Sequence, residues 1–104
     1  HAEVMAIRQA ALNLKNFSLQ GCEIYTSCEP CPMCLSAIYW ARLDRIYYAN
    51  TKEDAAKIEF DDQFIYDELS KKKEDRSIPI LKVKHDKAIQ AFKNWQGSLN
   101  KIKY

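Results

Sequence analysis

An α/β layer of about three strands and four helices is the fold class that the sequence predicts. Apolar residues recur at helical intervals in several stretches, short β-branched and aromatic runs fall between them, and the two kinds of segment alternate along the chain. The 104 residues, 47% hydrophobic and 12% aromatic, suffice for one core and one domain.

Taken in order, Val4, Ile7, Ala11 and Leu14 form one apolar stripe, which predicts a helix from Ala2 to Leu14. Glu23 to Thr26 reads as a short strand. Pro30 presets the first turn of a second helix, Cys31 to Ala41, because its fixed φ suits a helix start. Arg45 to Ala49 alternates into Ile46, Tyr47 and Tyr48, expected as a buried strand. Asn50 to Glu59 is a polar connection with room for helix around Ala55 and Ala56. Asp61 to Leu69 is expected as a short helix and Ile78 to Val83 as a further strand. Asp86 is placed to cap a last helix, along which Ala88, Phe92, Trp95 and Leu99 follow at intervals of four, three and four residues.

Composition removes several functional classes. Two glycines leave little room for a phosphate-cradling loop, and a net charge of +2 is too small to announce a nucleic-acid partner. The run Lys71-Lys72-Lys73-Glu74-Asp75-Arg76 mixes both signs and reads as a solvated loop. No stretch resembles a secretory or membrane-spanning segment. Four cysteines then fit a reducing, cytoplasmic compartment in which thiols serve a metal rather than disulfides.

Chemistry concentrates in two short motifs, His1-Ala2-Glu3 and Glu29-Pro30-Cys31-Pro32-Met33-Cys34. One imidazole and two thiolates suit tetrahedral Zn²⁺, and three protein ligands leave a fourth position for water. Cys31 and Cys34, three residues apart on a helix, share a face. His1 and Glu3 are about 200° apart around their helix, so they converge only beyond its N-terminal end. Both helix N-termini should therefore point at the metal and favour thiolates there. Glu3 is the carboxylate placed to move protons between water and substrate. Cys28 keeps a rival reading open: with His1, Cys31 and Cys34 it would complete a closed Cys3His structural site. Against that, Glu29 precedes Pro30 and is pushed out of the helical region, so Cys28 belongs to the extended segment. Cys22 reads as a small buried hydrophobe.

The pairing of H-x-E with P-C-x-x-C is the signature of the zinc deaminases. His1-Ala2-Glu3, Thr26-x-x-Glu29-Pro30-Cys31-x-Met33-Cys34 and Ala37-Ile38-Tyr39-Trp40-Ala41-Arg42 resemble the cytidine-deaminase-like superfamily. Phe60 to Tyr66 and Lys101-x-Lys103-Tyr104 narrow the resemblance to the bacterial guanine deaminases, and it covers essentially the whole chain. It implies a three-layer α/β/α fold with a mixed five-stranded sheet. Two strands, a helix and the family's substrate-binding asparagine would lie before His1, making this chain the C-terminal two-thirds of one deaminase domain. The residues suggest the same, since there is no initiating Met and three strands are few for four helices.

The resemblance makes His1, Cys31 and Cys34 the zinc ligands and Glu3 the proton shuttle. It assigns Asp62 as the acceptor for the guanine edge and Tyr104 as an aromatic lid. Ala2 joins the substrate-facing set, and Trp40 is placed either to stack near the base or to pack its helix. Without the resemblance, Asp61 and Asp62 read as helix caps and Tyr104 as a frayed end. The implied reaction is hydrolysis of guanine to xanthine and ammonia in purine metabolism. The implied partners are a nucleobase and a second copy, whose C-terminal segment may be exchanged. The alternatives are a deaminase of another base or of tRNA adenosine, which would want a basic groove, and a non-catalytic zinc module, which would have no use for Glu3.

Overall fold

The computed structural model describes residues 1–103. Helix α1 (Ala2–Leu14) has the predicted bounds. It ends at Lys15 in the left-handed conformation (φ 51°), where the Lys15 N–H reaches back to the Ala11 and Leu12 carbonyls. Strand β1 (Glu23–Cys28), helix α2 (Pro32–Ala41) and strand β2 (Arg45–Asn50) follow. The strands pair in parallel, Ile24 opposite Ile46 and Cys28 opposite Asn50. A parallel pair needs a crossover, and α2 supplies it.

The core lies under this unit. Leu19, Ile24, Cys34, Ile38 and Ala41 are its buried apolar residues, and the Leu19 N–H donates to the Ala41 carbonyl at 2.7 Å. Helix α1 packs against α2. On β1 the period of two turns Ile24, Thr26 and Cys28 towards the helices and leaves Tyr25 outside, 73% exposed and stacked on Tyr47 at 4.6 Å.

Beyond β2 the chain forms α3 (Lys52–Ala56), α4 (Gln63–Ser70), a 3-10 turn (Lys73–Asp75) and α5 (Ala88–Gly97). The radius of gyration is 17.7 Å, against about 13 Å for a compact domain of this length. The excess fits a second half that makes few contacts with the first.

Several expectations need correction. Among the described residues there are two strands and five α-helices. Residues 78–83 form no strand: Pro79 removes a ladder donor, no neighbouring strand is present to pair with, and Leu81 and Val83 are at least 80% exposed. The β2 strand is not buried, because among the described residues only β1 pairs with it and Tyr47 and Tyr48 lie open. Pro32, not Pro30, occupies the first turn of α2. Asp86 does not cap α5, whose N-cap is Lys87 with no side-chain bond. Cys22 is half-buried rather than buried.

Candidate active site

Two helix starts and one strand end meet at the site. His1 is the N-cap of α1 and Cys31 the N-cap of α2, and Cys34 lies in the first turn of α2, fully buried. The Cys31 carbonyl accepts the Leu35 N–H at 2.8 Å, so the helix begins at the ligand-bearing residue itself. One nitrogen of His1 and the sulfurs of Cys31 and Cys34 lie within 4.8 Å of one another, and His1 Nδ1 is 3.5 Å from Cys31 Sγ.

These donors fit a zinc ion. Zn–S and Zn–N bonds in a tetrahedral shell place neighbouring ligand atoms roughly 3.5–3.8 Å apart. Electrostatics agree with the geometry. Burial first, then the adjacent Cys31 thiol and the Glu3 carboxylate, push the Cys34 thiol up to about 12. A cation between the sulfurs reverses that penalty by favouring the thiolate.

Cys28 stands outside the cluster. Its thiol points to the Thr51 carbonyl at 3.8 Å, at the end of β1 where the sequence placed it. The triad of His1, Cys31 and Cys34 is thus the group that gathers, without the fourth sulfur of a closed Cys3His site.

Glu3 faces the triad from the first turn of α1. Its Oε2 is 3.5 Å from Cys34 Sγ, and its Oε1 is 3.3 Å from Thr26 Oγ1. The loop carrying Cys31 is tied to the end of β2: the Glu29 N–H donates to the Asn50 carbonyl at 2.8 Å, and Glu29 Oε2 accepts the Lys52 N–H at 3.1 Å. Those two bonds also fix the start of α3, whose Thr51–Asp54 capping box closes it.

A cleft of about 830 Å³ opens beside the triad, within the range of roughly 300–1,000 Å³ usual for small-molecule sites. His1, Glu3 and Cys31 form one wall, and α3 with the turn into α4 forms the other, through Ala55, Ile58 and Phe60. Asp62 is on that second wall, half-buried. Its carboxylate does not cap α4; Asp61 does that work, accepting the Gln63 N–H at 2.8 Å. The two aspartates that looked alike in sequence therefore have different surroundings. Tyr66 leans on the zinc loop, its hydroxyl 3.5 Å from the Pro30 carbonyl and its ring under the Lys52 ammonium at 4.8 Å.

Ala2 and Trp40 do not line this cleft. Trp40 sits near the far end of α2 and is 67% exposed. Tyr104 lies outside the described residues. Thr26, unassigned by sequence reasoning, touches Glu3. Its signal was the alternation of β1, which puts it on the same side as Ile24.

Comparison with known proteins places this geometry in context. Residues 1–50 match the family model of the cytidine and deoxycytidylate deaminase zinc-binding region. The whole chain is 49% identical to the guanine deaminase of Bacillus subtilis strain 168 and spans 67% of its length. It superposes on the X-ray structure of guanine deaminase from Bacillus subtilis with a TM-score of 0.94, covering 66% of that chain. A tRNA-specific adenosine deaminase of Buchnera aphidicola is 37% identical over 60 residues, 58% of this chain and 40% of that protein.

Proposed function

We propose, for a chain that belongs to the cytidine-deaminase-like zinc hydrolases in the family of the Bacillus guanine deaminase, the hydrolytic deamination of guanine to xanthine and ammonia. The observation that carries this reading is that Asp62, free of capping duty, lines the same cleft as Glu3 and the His1, Cys31, Cys34 triad. Guanine presents N–H donors at N1 and at the exocyclic amine, and an ionised carboxylate is acceptor-only. The rest of the lining points the same way. Glu3, Glu29, Asp54, Glu59, Asp61 and Asp62 face Lys52 as the one Lys or Arg among the described lining residues. Such a wall suits an uncharged base and repels phosphates, which disfavours a tRNA substrate.

His1, Cys31 and Cys34 are the residues that would hold zinc. When bound, zinc supplies a Lewis acid that lowers the pKa of coordinated water towards neutrality. Glu3 takes the proton from the attacking water and delivers it to the ring nitrogen next to C2. C2 becomes tetrahedral while Asp62 holds the N1–H and amine edge. Glu3 then carries the second water proton to the amine, which leaves as ammonia as the C2 carbonyl forms. The balance is guanine plus water to xanthine plus ammonia. The apolar side chains of Ile58, Phe60 and Ile65 line the cleft beside these groups and limit competing water.

The reading extends to one deaminase domain, of which this chain is a part, and to a homodimer with an exchanged C-terminal segment. The apolar residues of α5 and its continuation, Phe92 (74% exposed), Trp95 and Leu99 (99% exposed), support the second point, since such a face asks for a cover. No helix among the described residues is long and apolar enough to cross a membrane. The decisive experiment is steady-state turnover of guanine, cytosine and adenine by the zinc-loaded full-length protein. Xanthine production with little activity on the other two bases is expected, and preference for either of them would overturn the substrate assignment.

A further inference from the structure

We infer that Thr26 is a positioning residue for Glu3, a hydroxyl donor on β1 that fixes the orientation of its carboxylate beside the triad. The inference rests on the deaminase reading above and adds a residue that reading does not use. Thr26 Oγ1 has two acceptors in reach, the Cys28 carbonyl at 2.8 Å and Glu3 Oε1 at 3.3 Å. A hydroxyl has one proton to give and two lone pairs to offer. It therefore serves one of these oxygens as donor at a time.

Rotation of the Thr26 O–H turns its proton to Oε1 and fixes that oxygen, which leaves Oε2 facing the sulfurs. Among the described residues the other oxygen has Cys34 Sγ as its neighbour at 3.5 Å, which belongs to the group that would hold the metal.

The backbone makes the partner rigid. Thr26 lies within β1, paired with Tyr48, two residues beyond buried Ile24 and half-buried itself. A β-branched side chain in a strand has restricted χ1, so the hydroxyl is aimed rather than tethered. Glu3 comes from α1, 23 residues earlier in the chain, and this contact joins the first turn of that helix to the strand leading into the zinc loop.

The test compares Thr26→Val, which keeps shape and removes the hydroxyl, with Thr26→Ser, which keeps the hydroxyl, in the zinc-loaded full-length protein. A hydrogen bond to a charged group is worth enough to predict a fall in kcat of about tenfold or more for Thr26→Val. KM should stay within about twofold, and zinc content should be unchanged. Thr26→Ser should recover most of kcat. Should Thr26→Val fail to fold, Thr26→Ala against Thr26→Ser makes the same comparison. Wild-type kcat in the variant lacking the hydroxyl, or a serine variant no better than it, overturns the positioning role while leaving the deaminase reading intact. Loss of the deaminase reading shows separately, as a wild type that turns over no base.

Discussion

Residues 1–41 and residues 42–103 are built on different principles. Every buried residue described lies in the first of these segments, and none in the second. The buried part holds Cys34 at the base of the metal triad, where burial and charge act on a thiol strongly enough to matter. The exposed part contributes Asp62 and the apolar wall of the cleft, and then runs on through α5 with its large side chains uncovered. The proposed proton shuttle and the metal ligands thus fall on the half that carries the core, and the proposed reader of the base falls on the half with little packing of its own.

The largest effect expected of this division is at Glu3. Glu3→Gln keeps the side-chain volume and removes the base, so kcat should fall by roughly 100-fold to 10,000-fold, the range typical of a general acid/base. Metal analysis should find zinc retained, because the triad is untouched. Turnover near the wild-type rate would move the proton shuttle to another residue.

Asp62→Asn tests the other wall. It replaces an acceptor with an amide that also presents donors to guanine's donors, which should cost about 1–4 kcal/mol, several-fold to a thousandfold in kcat/KM. The informative quantity is the ratio of guanine to cytosine. A selective loss on guanine makes Asp62 the reader of the base edge; an equal loss on both makes it a structural residue of the α4 turn.

How much of this was legible in the chain follows the same line. The helix Ala2–Leu14 and the gathering of His1, Cys31 and Cys34 were readable, because periodicity and the i, i+3 spacing are local rules. The exposed half broke such rules. Residues 78–83 have strand composition, yet a strand exists only with a neighbour to bond, and none is present among the described residues. Asp61 and Asp62 were indistinguishable as caps until the turn geometry assigned the Gln63 N–H to Asp61. Thr26 was hidden for a third reason: its partner Glu3 is 23 residues away, a separation that no motif expresses.

The uncovered apolar residues predict an assembly. Phe92→Ser combined with Trp95→Ser should shift the full-length protein from dimer to monomer in sedimentation at micromolar concentration, with zinc content preserved. A wild type already monomeric under those conditions would remove the second copy from the account. It would leave the exposure of α5 without a partner to explain it.

The smallest effect concerns Glu68, which ties the chain beyond α4 back onto that helix. Its carboxylate pairs with Lys71 and accepts from both the backbone N–H (2.7 Å) and the hydroxyl (2.9 Å) of Ser77. The Lys71 ammonium foremost, then the Ser77 N–H, hold the Glu68 carboxyl at about 2, below its ordinary 4.5. A folded-state value depressed in this way contributes stability that is fully present above about 4.5 and is lost as pH falls through about 2. Acidification across that window should release residues 71–77 first, seen as faster amide hydrogen exchange at Ser77 once the intrinsic pH dependence of exchange is removed. Exchange in β1 and α2 should hold longer, since those segments carry the buried core. Glu68→Gln should show the same local loosening at neutral pH with kcat nearly unchanged. If that variant instead loosened β1, or lowered kcat as much as a change at the cleft, the two halves would be mechanically coupled and the division drawn here would fail.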